Sequence, residues 1–158
     1  MAQSIHLDSN LSKTDKYLQL IPQIKSLCDG EDDLIANMAN ITAVLKSVFN
    51  YFWVGFYIVR NNQLILGPFQ GDVACTRISF GKGVCGKAWE KSETIIVPDV
   101  NQFEGHIACS ALSKSEIVVP VIIKNQIIAV LDIDSDKFND FDKVDKEHLE
   151  LIVKVLNK

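Results

Sequence analysis

The chain's 158 residues, 47% of them hydrophobic and 23% charged, suffice to close one core without disulfide staples. A formal charge of −4 with no basic cluster argues against nucleic acid as a partner. No apolar run approaches the roughly 20 residues of a membrane span, and residues 1–10 lack a secretory signal's basic head and apolar stretch, so no membrane partner is expected and the cytoplasm is the expected location.

Residues 1–11 read as a flexible polar tail. Tyr17, Leu20, Ile21, Ile24 and Leu27 recur at helical spacing, which predicts a helix over 12–28, capped by Ser12 or Thr14 and ended by Gly30. A second helix follows on the stripe Leu34, Met38, Ile41, Leu45 and Val48, with Asp32 as its cap. The texture then changes. Residues 51–60 are aromatic and β-branched, Asn61-Asn62 is a turn signal, and 63–69 form a second apolar strand, together a hairpin. The stretch 67–86 is glycine-rich with a short strand at 77–80. A short helix follows at 83–91, then a buried strand at 94–97 ended by Pro98-Asp99, then an irregular loop over 101–113. Residues 116–123 and 126–134 make the clearest hairpin, turning at Lys124-Asn125, and a helix over 142–156 closes the chain, with Asp142 as cap. With no repeat and no linker, 1–158 reads as one α+β domain, an antiparallel sheet with helices packed against it.

Candidate chemistry starts in the last hairpin. Side chains alternate faces along a strand, so Asp132 and Asp134 share one face while Leu131 and Ile133 take the other. The strand opposite begins at Glu116, so three carboxylates can share one neighbourhood. If that face is covered, like charge and desolvation keep at least one of them protonated near neutral pH, a proton donor to an oxygen, while ionised neighbours bind an ammonium. Spacing alone also describes, more simply, a half-exposed sheet whose aspartates meet water. On the aromatic strand, Trp53 and Tyr57 share a face with Gly55 between them, a gap that a compact apolar group could enter or plain core packing could fill.

In a reducing compartment the four cysteines read as catalytic, metal-binding or buried residues rather than structural cross-links. Cys109 and Cys75 lie in polar loops beside His106 and Arg77, where a thiol pKa can fall and the thiolate act as a nucleophile. Cys85 fits either a reactive or a buried role, and Cys28, at a helix end, reads as structural. Each, taken singly, also fits a small buried hydrophobe. A zinc site lacks its paired knuckles: only His106 and Cys109 stand close, and Cys75 and Cys85 are ten residues apart. No metal is expected on that spacing. Gly81-Lys82-Gly83 is too short a pattern for a phosphate loop.

With these residues in view the chain resembles the free methionine-R-sulfoxide reductases, a family of stand-alone GAF domains. The likeness runs through Phe52-Trp53-Val54-Gly55-Phe56-Tyr57, Gly67-Pro68-Phe69-Gln70-Gly71, Ala74-Cys75-Thr76-Arg77-Ile78, Gly81-Lys82-Gly83-Val84-Cys85-Gly86 and Val97-Pro98-Asp99-Val100. It continues through His106-Ile107-Ala108-Cys109 and Ser115-Glu116-Ile117-Val118-Val119-Pro120 to Val130-Leu131-Asp132-Ile133-Asp134-Ser135, and so covers essentially the whole chain. It implies a GAF-like fold, a central, mainly antiparallel six-stranded sheet flanked by N- and C-terminal helices.

The resemblance also implies roles. Cys109 is similar to the nucleophile that attacks the sulfoxide sulfur, Cys75 to the resolving cysteine that forms a disulfide with it, and Cys85 to a third cysteine able to take part. Between Cys75 and Cys85 as resolver, Cys75 is chosen. Glu116, Asp132 and Asp134 match the carboxylates around the sulfoxide oxygen and amino group. Trp53 and Tyr57 match the wall around the S-methyl group, and Ile107 and Ala108 line the substrate on the nucleophile's loop. The implied substrate is free methionine-R-sulfoxide. No bound cofactor is implied, thioredoxin or another dithiol is the electron donor, and the assembly is a homodimer. The rival readings are a non-catalytic GAF module binding a small ligand, and a thiol-based redox sensor. A phosphate ligand wants donors where this face offers carboxylates, and a sensor has no need of Trp53 and the carboxylate trio.

Overall fold

The computed structural model describes residues 4–107 and 109–157. Helix α1 (Lys13–Cys28) is capped by Ser12, whose side chain accepts from the Asp15 N–H. Helix α2 (Leu34–Phe49) is capped by Asp33, not by the Asp32 that the sequence suggested, because it is the Asp33 carboxylate that reaches the Ala36 N–H. Ahead of α1, His6 and Asp8 hydrogen bond to Gln23 and Gln19, and Ile5 and Leu7 pack against the core.

Two hairpins follow from their turn residues. Strands β1 (Trp53–Arg60) and β2 (Gln63–Gln70) turn at Asn61 and Asn62, and β5 (Ser115–Ile123) and β6 (Gln126–Ser135) turn at Lys124 and Asn125. All four turn residues have positive φ, as the tight turn matching strand twist requires. Short strands β3 (Arg77–Ser79) and β4 (Ile95–Val97) complete one sheet of order β3-β2-β1-β6-β5-β4, antiparallel at every pairing. The register slips by one between Gly55 and Tyr57, so β2 carries an extra residue there, and Pro68 sits at this bulge rather than in a regular ladder.

The sheet separates two apolar clusters. Val54, Phe56, Ile117, Val119, Leu131 and Ile133 face α1, α2 and the closing helix α4 (Lys143–Lys154), forming the larger core. Asp142 closes α4's start in a reciprocal capping box with Asp145. Tyr17 donates to the buried Asp145, whose other oxygen accepts from Lys13 at 2.5 Å. The opposite face is covered by helix α3 (Gly83–Lys91), a 3-10 turn (Val100–Gln102) that opens the loop after β4, and the loop after β2. The carboxylates of β5 and β6 lie under that cover.

Candidate active site

The sheet register builds the floor. Asp134 pairs across β6 with Trp53 on one side and Glu116 on the other, and Asp132 pairs with Gly55 and Val118. Opposed residues in antiparallel strands point to the same face, so Trp53, Asp134 and Glu116 form one row and Asp132 stands in the next. The face is covered rather than wet: Glu116 is 5% exposed and Asp132 6%. Of the alternatives open from the alternation, the buried one is realised.

Three acids buried together change one another's protonation. Burial, the Asp134 charge and, for Asp132, the Glu116 charge push the Glu116 and Asp132 carboxyls well above the usual range. Asp134 is raised by burial to about 6, held back by the Ser113 hydroxyl that hydrogen bonds to it and by His106. His106 Nε2 lies 3.6 Å from a Glu116 oxygen, and burial lowers its own pKa against the pull of Asp134. Among the described residues, the cleft above this floor is lined by no lysine or arginine; it encloses about 570 Å³ counted out to its mouth. Such a pocket holds protons at neutral pH and welcomes a cation.

The aromatic side wall does two jobs. Trp53 stacks between Phe69 and Tyr57, with ring centroids 5.5 and 6.0 Å away. The gap that Gly55 was expected to leave is filled by the Trp53 indole itself: a Cβ on Gly55 would collide with that ring and approach Phe69 Cβ to 2.5 Å. Trp53 Nε1 donates to the Asp72 carbonyl and the Tyr57 hydroxyl to the Cys75 carbonyl, both at 3.0 Å. The two aromatics therefore fix the loop that carries Cys75.

Over the mouth, Cys75 and Cys109 are joined by a disulfide, their Cα atoms 5.4 Å apart. Cys109 is exposed and Cys75 half-buried. The Cys109 loop is seated by Ile107, whose side chain lies 3.2 Å from where a Gly83 Cβ would be, at the start of α3. Cys85, in the first turn of α3, is buried in the pocket wall, its thiol pushed up by burial and the Asp132 charge. Cys28 is buried in the larger core, as its helix-end position suggested. Ala108 lies outside the described residues. Every other residue singled out as a site candidate lines this one cleft or its covering bond. Sequence reasoning missed the roles of Ser113 and Phe69, and read His106 as a neighbour of the Cys109 thiol and a weak metal candidate, not as a partner of the carboxyls. A serine two residues ahead of a strand carries no signal of its own, and these three act only through partners brought from β6, β1 and β5.

A six-stranded antiparallel sheet with helices on one face and a loop-covered pocket on the other defines a GAF domain, and the GAF domain family model matches residues 30–156. A "GAF domain-containing protein A" from Dictyostelium discoideum is 55% identical, covering 99% of both chains. A free methionine-R-sulfoxide reductase from Saccharomyces cerevisiae is 44% identical, over 99% of this chain and 92% of the relative. The solved structure of the free methionine-R-sulfoxide reductase from Neisseria meningitidis, in complex with its substrate, superposes with a TM-score of 0.95 at 47% identity, covering 99% of this chain and 93% of that one. The chain belongs to the free methionine-R-sulfoxide reductase family of oxidoreductases.

Proposed function

We infer that the protein reduces free L-methionine-(R)-sulfoxide to methionine, with Cys109 as nucleophile and Cys75 as resolving thiol. The observation that carries this reading is the Cys75–Cys109 pair standing over three protonatable carboxyls on one sheet face. A sulfoxide sulfur accepts a nucleophile poorly until its oxygen takes a proton. Glu116, Asp132 and Asp134 supply that proton from below while the Cys109 thiolate attacks from the loop above. The sulfur–oxygen bond breaks, methionine leaves, and the oxygen ends on Cys109 as a sulfenic acid. The Cys75 thiol then displaces that oxygen as water and closes the disulfide.

The ionised member of the carboxyl set holds the substrate ammonium, a contact that a peptide nitrogen cannot make. Trp53 and Tyr57 wall the S-methyl group, and Ile107 contributes to the substrate's lining. Oxygen, methyl and lone pair then each meet a different wall, which selects one epimer at sulfur. A dithiol protein of the thioredoxin kind returns the two electrons. No bound cofactor enters this scheme. In this reading the protein works as a homodimer in the cytoplasm and guards against oxidative damage. The reductases named above, among them one solved with its substrate, support the substrate class.

The test is to incubate reduced protein with racemic free methionine sulfoxide and a dithiol, following each epimer. Loss of the R epimer alone is expected. Cys109→Ser should abolish single-turnover reduction, and Cys75→Ser should release one equivalent of methionine and then stop. If neither epimer is consumed the reading fails. Repeated turnover in Cys75→Ser would move the resolving role to Cys85.

A further inference from the structure

The scheme above leaves one buried nucleophile without a task. Cys85 Sγ, from α3, lies with a Glu116 oxygen from β5 and an Asp132 oxygen from β6 in a group whose atoms are all within 4.8 Å of one another. All three side chains are buried, and Cys85 is only 3% exposed. Asp132 Oδ1 is buried without a hydrogen-bond partner among the described residues, on a side chain that lines the cleft and interacts by hydrogen bonding with the Cys85 thiol and the Glu116 carboxyl. An orphaned buried carboxylate oxygen signals a missing partner, and a lining without lysine or arginine leaves that partner to come from outside. A substrate ammonium answers to the oxygens. It does not answer to the sulfur.

We propose that this pocket is also a site for a thiophilic divalent cation of the zinc and cadmium class, held by Cys85 Sγ, a Glu116 oxygen and Asp132 Oδ1. Tetrahedral zinc takes sulfur at about 2.3 Å and carboxylate oxygen at about 2.0–2.2 Å, so its donors stand roughly 3.5 Å apart. The present spread closes to that by about an ångström of side-chain movement. Thiolate selects soft metals over magnesium or calcium. His106 lies outside this three-residue group, 3.6 Å from Glu116 alone, so the fourth position is left to solvent. On binding, the thiol proton and the protons held on the carboxyls leave to solvent and the metal takes their place, with no change of oxidation state. Donors from α3, β5 and β6 are far apart in sequence, so no knuckle spacing could announce the site.

The consequence for activity rests on the function proposed above. Metal and amino acid claim the same oxygens, so the cation competes with the sulfoxide, and a rise in free zinc or cadmium would silence the enzyme reversibly.

The direct test needs no turnover. With the Cys75–Cys109 disulfide closed, the remaining thiols are Cys28 and Cys85, and Cys28 belongs to the other core. Cadmium ion alone is titrated into oxidised protein while the ultraviolet thiolate-to-cadmium charge-transfer band is followed. One saturable equivalent is expected in the wild type, with the band lost in Cys85→Ser. Asp132→Asn, which keeps the side chain's shape, should weaken binding at least tenfold. It decides the matter if Cys85→Ser fails to fold. Absence of the band in the wild type overturns the proposal, as does a band unchanged in either folded variant. Competition is read separately, as a rise in KM for the sulfoxide with kcat unchanged. If the band forms but no sulfoxide is reduced, the cation site stands and the function proposed above falls.

Discussion

Asp134 stands at the centre of the pocket floor, with Trp53 across one ladder and Glu116 across the other. Its pKa of about 6 means that the folded protein holds this proton more tightly than the unfolded chain does. A carboxyl raised in this way adds stability that is fully present below its unfolded pKa of about 4 and is lost as pH rises through about 6. Asp134→Asn cannot ionise. It should therefore be more stable than the wild type at pH 8 by about 3 kcal/mol, with the difference closing as pH falls to about 4. Urea unfolding at the two pH values reads this directly, and a gap independent of pH would refute it. The placement of Asp132, Asp134 and Glu116 on one face was legible in the sequence because alternation is a property of the strand alone. Their burial was not, because the residues that cover them come from α3 and from loops far away in the chain.

Among the elements, β1 shows how a small residue positions a large one. The Trp53 indole lies across Gly55 because no Cβ stands in its way. Gly55→Ala should force the ring up from the strand and cost about 1–3 kcal/mol, the usual range for overpacking. The same change should loosen the Asp72 tether and raise KM for the sulfoxide, alongside a shift in tryptophan fluorescence; an unchanged Tm and spectrum would show that the ring does not need the glycine. Both hairpins were legible because their turns carry Asn61-Asn62 and Lys124-Asn125, residues suited to positive φ or flanked by one that is. The cap of α2 was not, because Glu31, Asp32 and Asp33 are consecutive acids and the apolar stripe cannot choose among them. The turn over Val100–Gln102 was hidden for a similar reason: three residues are too few to show a period.

For the molecule as a whole, the Cys75–Cys109 bond closes a loop between residues 34 apart in sequence. Chain-entropy reasoning gives such a bond about 3–4 kcal/mol of stabilisation through the unfolded state. Reduction should then lower Tm by roughly 10 °C in a protein of this size. Calorimetry of the oxidised and reduced wild type checks this, with Cys75→Ser insensitive to reductant as the control. Strand order and cysteine pairing were beyond a reading of spacing. Sequence separation does not say that β1 lies beside β6, and it is that adjacency which sets Trp53 against Asp134 and brings the loops of Cys75 and Cys109 to the same side.

That bond, in the proposed reaction, is also a record of what the protein has last met. A molecule that carries it has already accepted an oxygen and has no nucleophile to offer another sulfoxide. A molecule with both thiols free is armed, and gives a reductant nothing to attack. Oxidant and reductant thus address different resting forms of the protein, and turnover alternates between them, with one tie between two loops keeping the count.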